Sequence, residues 1–438
     1  MHIEKLEITN FKAFEHLEIT LNPHFNLLVG KNGTGKTSIL EATAVALGIL
    51  HVSHITFGWR RIEPYEIHRK ATPIGVDTEN SDANSIRMVP AESAQIKAEG
   101  AIDGQKLTWT RQIPLGGRRT SNKDARKAVE VVKSMLSSAS EPNATNVLPV
   151  VAYFGAERLG KVAIMPSTIA RNPSGGRNRM DAYAFCLHGS VRQNQVYEWL
   201  VWNQATKGSN QEKPQHRAVI EAIKKCLPGW KDFYIEEGSR DVIIILGEQR
   251  IPYTCLSAGQ RLLLSMAADI AIRAETLNPH LGERTVLDTP GIVLIDEIEN
   301  HLHPAWQRKV VASLQEAFPS IQFVCTSHSP QVFGELLPEN ILVCDRESGA
   351  WHHPLRSLGL DSSRVLEEEM GALERNEVEK KRLSDLSNEI EKENFPEANR
   401  LLEEVASQLG ENDPEVTRAK TLMTFLRETK NEGDNQTT

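Results

Sequence analysis

Eight residues in a row, Gly30-Lys31-Asn32-Gly33-Thr34-Gly35-Lys36-Thr37, place two glycines, a lysine and a hydroxyl in the spacing of a phosphate-binding loop, GxxxxGK[ST]. The chemistry follows from the residue types. Gly33 and Gly35 let backbone N–H groups wrap a polyphosphate, with Lys31, Asn32 and Thr34 completing the loop. The start of a following helix, at Ser38, favours the same negative charge. Lys36 would bridge the β- and γ-phosphates, and Thr37 would ligate magnesium. A second constellation is the apolar run 291–295 ending in Asp296-Glu297, which offers one carboxylate to hold a magnesium ion and one to orient or deprotonate an attacking water. A third is Leu256-Ser257-Ala258-Gly259-Gln260 ahead of an apolar segment. Ser257 and Gly259 would also serve there as an ordinary helix N-cap. A fourth is Cys325-Thr326-Ser327-His328-Ser329-Pro330, with a histidine directly after a short apolar run.

These groups need elements to hold them. Residues 25–29 read as a short buried strand and 38–50 as a helix, so the loop lies between strand and helix. Residues 1–21 alternate with a period of about two and predict strands turning near Asn10 and Asn22-Pro23. Residues 71–95, with Pro73, Gly75 and Pro90, read as a loop. Strands are expected around 96–113, 148–154, 242–246, 292–295 and 321–325. Helices are expected at 124–137, 181–226, 262–273, 306–318 and 330–337. Residues 160–180, rich in Gly, Pro, Ser, Asn and Arg, predict a mobile loop. Beyond about 360, Glu and Lys dominate and leucines recur at helical spacing, which predicts a helical hairpin tail ending in disorder.

Composition narrows the class. Hydrophobic residues make up 40% of the chain, as in a globular protein with a sizeable core. A net charge of -8 excludes a simple basic DNA binder, so nucleic-acid contact would need a local basic patch. Clusters occur at 59–70 (Arg60, Arg61, Arg69, Lys70), 118–127 (Arg118, Arg119, Lys123, Arg126, Lys127) and 171–192 (Arg171, Arg177, Arg179, Arg192). Each is equally a solvated charged face, and the Gly-Arg-Asn stretch at 174–179 is the best contact candidate. The five cysteines never form a CxxC spacing, which argues for a reducing compartment. The opening lacks a signal-peptide pattern, and no run reaches the length of a membrane span. A soluble cytoplasmic protein is the expectation.

In their order along the chain, the four motifs resemble those of ABC-type ATPases. The opening Asn10-Phe11-Lys12-Ala13-Phe14 is similar to the start of RecF and SMC heads, where a basic residue at the Lys12 position approaches the phosphates. The run DEIENHLHP at 296–304 resembles the D-E-x-E-x-H-L-H-P of RecF-like bacterial ATPases. That group includes OLD-family heads and the PtuA-like ATPases of Septu and retron anti-phage systems. Residues 151–159, 269–273, 358–371, 398–410 and 413–426 also look like that group, so the resemblance covers nearly the whole chain. Two positions depart from it: His303 stands where many ABC proteins have a D-loop aspartate, and 153–158, the matching place for a Q-loop, has no Gln.

The resemblance implies an α/β ABC-type head, with a mixed β-sheet around the phosphate loop and a helical subdomain, plus a C-terminal α-helical hairpin tail. The expected parts are an N-terminal lobe at 1–159, a helical insertion at 160–255, a C-terminal lobe at 256–357, a partner-binding tail at 358–430 and a disordered end at 431–438. It implies a magnesium-dependent ATPase that binds ATP with Lys12 and residues 30–38, holds Mg2+ with Thr37 and Asp296, and uses Glu297, His328 and Lys36 in catalysis. Ser257, Gly259 and Gln260 would complete the site of a second copy in a head-to-head homodimer. A separate HNH-type nuclease and DNA or RNA are the implied partners, since no nuclease signature occurs in this chain. The alternatives are a RecF-like DNA repair ATPase and a nucleotide-gated scaffold, the latter opposed by the presence of Glu297 and His328.

Overall fold

The computed structural model describes residues 1–53, 60–73, 86–141, 143–158, 178–206, 213–236, 241–345, 348–371 and 375–435. The expected loop at 160–180 and the residues Trp59, Arg171 and Arg177 therefore lie outside the described residues, apart from 178–180. The chain forms two compact units, one up to Val365 and one from Leu366 onward.

In the first unit the chain opens with β1 (His2–Phe11) and β2 (Phe14–Thr20), an antiparallel pair whose inward residues, among them Ile3, Leu6 and Ile8, are buried. β3 (Phe25–Val29) is buried at every position, as a strand covered on both faces must be. It leads through the phosphate-loop sequence into α1 (Lys36–Leu47). β4 (Arg69–Pro73) and β5 (Ile86–Pro90) pair antiparallel, so the stretch expected to be a loop begins and ends in strand. β6 (Ala94–Ile102) and β7 (Gln105–Ile113) alternate buried and accessible residues and extend the first sheet in the order β2-β1-β6-β7. α2 (Arg126–Ala139) precedes β8 (Val150–Phe154). α3 (Gln193–Thr206), α4 (Pro214–Cys226) and a small sheet of β9 (Trp230–Ile235), β10 (Val242–Leu246) and β11 (Gln249–Pro252) follow.

The 20-residue helix α5 (Ala258–Leu277) starts at a capping box, Ser257 with Gln260, and is buried over most of its length. It carries Asp269, which accepts from Arg192 Nε at 2.6 Å and from Arg273 at 3.3 Å, an ion cluster sealed in the core. β12 (Gly291–Ile295), α6 (Pro304–Ala317), β13 (Ile321–Ser327), β14 (Ile341–Cys344) and β15 (Trp351–His352) complete the head. The helix expected at 330–337 is a single turn, Pro330–Phe333.

The central sheet runs β15-β14-β3-β13-β12-β8, parallel except at β15. Its register positions the site. Ile295 pairs with both Phe154 and Cys325, and Ser327 pairs with Val29. Asp296, His328, Gly155 and Gly30 therefore leave the sheet at one carboxyl edge, where ligands of open α/β sheets bind.

The unit from Leu366 onward contains α7 (Glu377–Glu391), α8 (Phe395–Leu409) and α9 (Pro414–Asn435). They pack around Leu386, Ile390, Leu402, Val405, Val416 and Met423. The tail is thus three helices rather than the expected hairpin. Proline at or just after each of two starts, Pro396 and Pro414, suits the first helical turn, where an N–H would lack a partner.

The core also sets a pH limit on stability. His51 is fully buried, its Nε2 lies 3.4 Å from Cys186 Sγ, and its Nδ1 has no partner. Burial first, and the neighbouring His188 second, push its pKa down to about 4. A histidine depressed in the folded state adds stability that is complete above its ordinary value and is lost as pH falls toward the folded value. Melts at about pH 7.5 and about pH 5 should differ by about 2 kcal/mol from this group. His51→Gln should lose less stability than wild type over the same interval. An equal loss would place the acid sensitivity elsewhere.

Candidate functional site

The phosphate-loop residues form a turn closed by the Thr34 hydroxyl, which donates to the Lys31 carbonyl at 2.9 Å. Lys36 is buried, and its Nζ donates to the carbonyls of Gly30 at 2.7 Å and Lys31 at 2.9 Å. Burial lowers its pKa, against the opposing pull of Asp296, Glu297 and Glu299. Gly35 has φ +92, and a Cβ there would sit 2.4 Å from the Phe14 ring, so only glycine fits where the opening segment crosses the loop.

Thr37 and Asp296, the two residues expected to hold magnesium, lie together. The Thr37 hydroxyl donates to Asp296 Oδ2 at 2.9 Å, with Oδ1 at 3.2 Å. Thr326, quoted in the fourth motif but given no role from sequence, donates its hydroxyl to Asp296 Oδ1 at 2.6 Å and accepts the Glu297 N–H at 2.7 Å. Glu297 adopts a left-handed backbone, φ +50. For a residue other than glycine this costs about 1 to 3 kcal/mol, so surrounding contacts must hold it. Glu299 accepts the His328 backbone N–H through Oε1 at 2.6 Å, while its Oε2 is buried without a partner. Partial desolvation, and then the Lys36 charge, lower the His328 pKa, so the ring favours its neutral form. The donor set of a threonine hydroxyl and an aspartate carboxylate suits a hard divalent cation, and the glycine-built loop beside a desolvated lysine suits a polyphosphate.

Other expected site residues are engaged in contacts of their own. Lys12 pairs with Glu41 and, at 3.4 Å, with Glu66, so its ammonium is engaged by two acids. Ser257 and Gln260 bond each other across the start of α5. A Cβ at Gly259 would lie 2.4 Å from the His301 carbonyl, so close backbone contact within this chain already requires that glycine. His303 Nδ1 accepts from the Ala305 N–H, which makes it the cap of α6.

The basic clusters divide sharply. Arg60 is paired with Glu66 and Lys70 with Glu15. Arg179 donates to the carbonyls of Leu277 and Asn146, and Arg192 is buried on Asp269; neither presents a free cation to a polyanion. Arg118, Arg119, Lys123, Arg126 and Lys127 are exposed, with no acidic partner among the described residues.

No helix among the described residues is long and apolar enough to cross a membrane, and no group of three or more His, Cys, Asp or Glu side chains that could hold a metal ion occurs among them.

An AAA-domain family profile matches residues 5–227, and a second AAA-domain profile, described for a Type IV TA system, matches residues 243–334. The protein named "Retron Ec83 probable ATPase" of Escherichia coli is 22% identical over 491 residues, covering 96% of this chain and 86% of its own. The Septu protein PtuA of Bacillus mycoides (strain KBAB4) is 38% identical over 375 residues, covering 78% of this chain and 40% of its own. Among solved structures, an SMC head bound to the C-winged helix domain of ScpA matches with a TM-score of 0.46 and 17% identity, over 82% of this chain and 99% of that one. The chain belongs to the AAA-domain family and is similar to a retron probable ATPase and to the Septu protein PtuA.

Proposed function

We propose that this protein is the magnesium-dependent ATP hydrolase of a bacterial anti-phage complex, working as a head-to-head homodimer that governs a separate HNH-type nuclease. The observation that carries the hydrolase reading is the convergence of Lys36, Thr37, Asp296, Glu297 and His328 at one edge of the central sheet. Lys36 exchanges the Gly30 and Lys31 carbonyls for β- and γ-phosphate oxygens. Thr37 and Asp296 would hold Mg2+, which neutralises charge on those phosphates when bound. Glu297 takes the proton of a water whose oxygen bonds to the γ-phosphorus, while the bond from that phosphorus to the bridging oxygen breaks and releases ADP and phosphate. His328 steadies the γ-phosphate as it departs. Ser257, Gly259 and Gln260 of a second copy would close the site over each ATP. Loss of the γ-phosphate contacts then loosens the pair, which makes ATP a switch.

The defence role rests on similarity to the retron and Septu proteins. The three-helix tail, where the acidic excess of the chain lies, is the proposed docking element for the nuclease. The exposed cations at 118–127 are the proposed contact for DNA or RNA phosphates. The second reading is a RecF-like repair ATPase, favoured by short matches to RecF proteins such as that of Oceanobacillus iheyensis, 47% identical over 45 residues. Tagged Glu297→Gln protein, captured with ATP from its host and identified by mass spectrometry, separates the two. A stoichiometric nuclease is the expected result. Replication or repair proteins without a nuclease would instead establish the second reading.

A further inference from the structure

Glu297 has its peptide group gripped from both sides. Thr326 takes its N–H, and on the other side the guanidinium of Arg158 takes its carbonyl at 2.9 Å through one terminal nitrogen. The other terminal nitrogen of Arg158 donates to the carbonyl of Asp296 and, at 3.3 Å, to that of Gly155. Arg158 is 1% exposed, and its remaining donor, Nε, has no partner. It sits on a turn leaving β8, and Asn300 ties the same turn to the acid-bearing loop by donating to the Ala156 carbonyl at 3.0 Å. The strand ends themselves are joined by the Asp296 N–H on the Phe154 carbonyl at 2.8 Å.

A buried cation is costly without compensation, and this one spends its donors on main-chain oxygens rather than on a carboxylate. The carbonyls it holds belong to the metal-holding acid and to the catalytic acid. The second of these stands in the left-handed conformation that a glutamate adopts only under constraint. The Glu297 carboxylate has no hydrogen-bond partner among the described residues. The backbone is therefore locked while the reacting group is left open. A planar fork spans two adjacent carbonyls, whereas a lysine ammonium is a single point donor on a flexible stem. Burial pushes the Arg158 pKa down to about 10, which leaves it charged at neutral pH.

We infer that Arg158 is the positioning residue for Glu297, setting where the catalytic carboxylate stands by holding the Asp296 and Glu297 carbonyls. The inference rests on Glu297 acting as the base in ATP hydrolysis. Its role is on kcat and not on nucleotide affinity, because the phosphate loop is held by other contacts.

The test uses the full chain with four variants: Arg158→Lys, Arg158→Gln, Glu297→Gln and the double variant Arg158→Lys with Glu297→Gln. Folding is read from melts, affinity from titration with a fluorescent ATP analogue, and kcat from phosphate release. A misplaced catalytic group can cost about 100-fold. Arg158→Lys should therefore lower kcat by about 100-fold, with nucleotide affinity within about threefold of wild type. Added to Glu297→Gln, it should lower the residual rate no further, because its target is already gone. Wild-type kcat in Arg158→Lys, a loss confined to affinity, or losses that multiply in the double variant would each overturn the inference. So would unfolding of both Arg158 variants, which would make the residue purely structural. If Glu297→Gln itself hydrolyses ATP at the wild-type rate, the parent assignment of the base fails. If only Arg158→Lys is silent, the positioning role fails alone.

Discussion

Glu297→Gln should bind ATP and fail to hydrolyse it. The substitution keeps the shape of the side chain and removes its ability to take a proton. The contacts that hold the residue in place, Thr326 on its N–H and Arg158 on its carbonyl, are backbone contacts that the substitution leaves untouched. Folding stability should stay near that of wild type. Loss of a general base typically costs about 10²–10⁴-fold, and that is the expected fall in kcat. The trapped γ-phosphate has a second consequence. If Ser257 and Gly259 of another copy close over it, the ATP-bound variant should elute with twice the mass of the chain in light scattering, and wild type should return to the smaller form as it turns over. A variant that stays monomeric with saturating ATP would end the head-to-head proposal. Unreduced phosphate release would remove Glu297 from the mechanism.

Lys36→Ala should abolish useful nucleotide binding while leaving the fold intact. Lys36 is buried and desolvated, and its ammonium is satisfied by two loop carbonyls, those of Gly30 and Lys31. The arrangement is poised to exchange those carbonyls for phosphate oxygens, which carry more charge. Hydrogen bonds to charged groups contribute about 1.5–3 kcal/mol each, so losing the β- and γ-phosphate contacts should weaken ATP by about 100-fold or more. Alanine also removes a buried charge, so the melting temperature without nucleotide should not fall. ATP should raise the melting temperature of wild type by mass action and leave Lys36→Ala unmoved. Calorimetry showing undiminished ATP affinity in the variant would refute the phosphate-loop assignment.

Each prediction depends on a residue that was legible in the sequence and on neighbours that were not. Gly30 to Thr37 are contiguous, and the loop they make is a local structure between one strand and one helix. Residue order alone therefore determined its place and shape. Asp296-Glu297 and His328 were legible for the same reason, each following its own apolar strand. The helical tail followed from the spacing of its leucines, and the α/β head from the family resemblance that the four motifs carry.

Tertiary structure decided what surrounds those groups. Thr326, Glu299 and Arg158 come from three separated stretches of chain, and they meet because the parallel register puts Phe154, Ile295 and Cys325 side by side. No local pattern encodes that alignment, since it depends on how strands far apart in sequence pair. The same applies to charge. The run at 118–127 and the residues Arg179 and Arg192 look alike on paper, yet the first is exposed while Arg192 is sealed on Asp269 and Arg179 is spent on carbonyls. Lys12 reads as a phosphate contact, and only folding places Glu41 and Glu66 beside it. Gly259 reads as part of a signature, and folding adds a second demand on it by placing the His301 carbonyl where its Cβ would be. A sequence determines which groups are available for chemistry, but whether a charge is free or neutralised depends on what folding brings within a few ångströms of it.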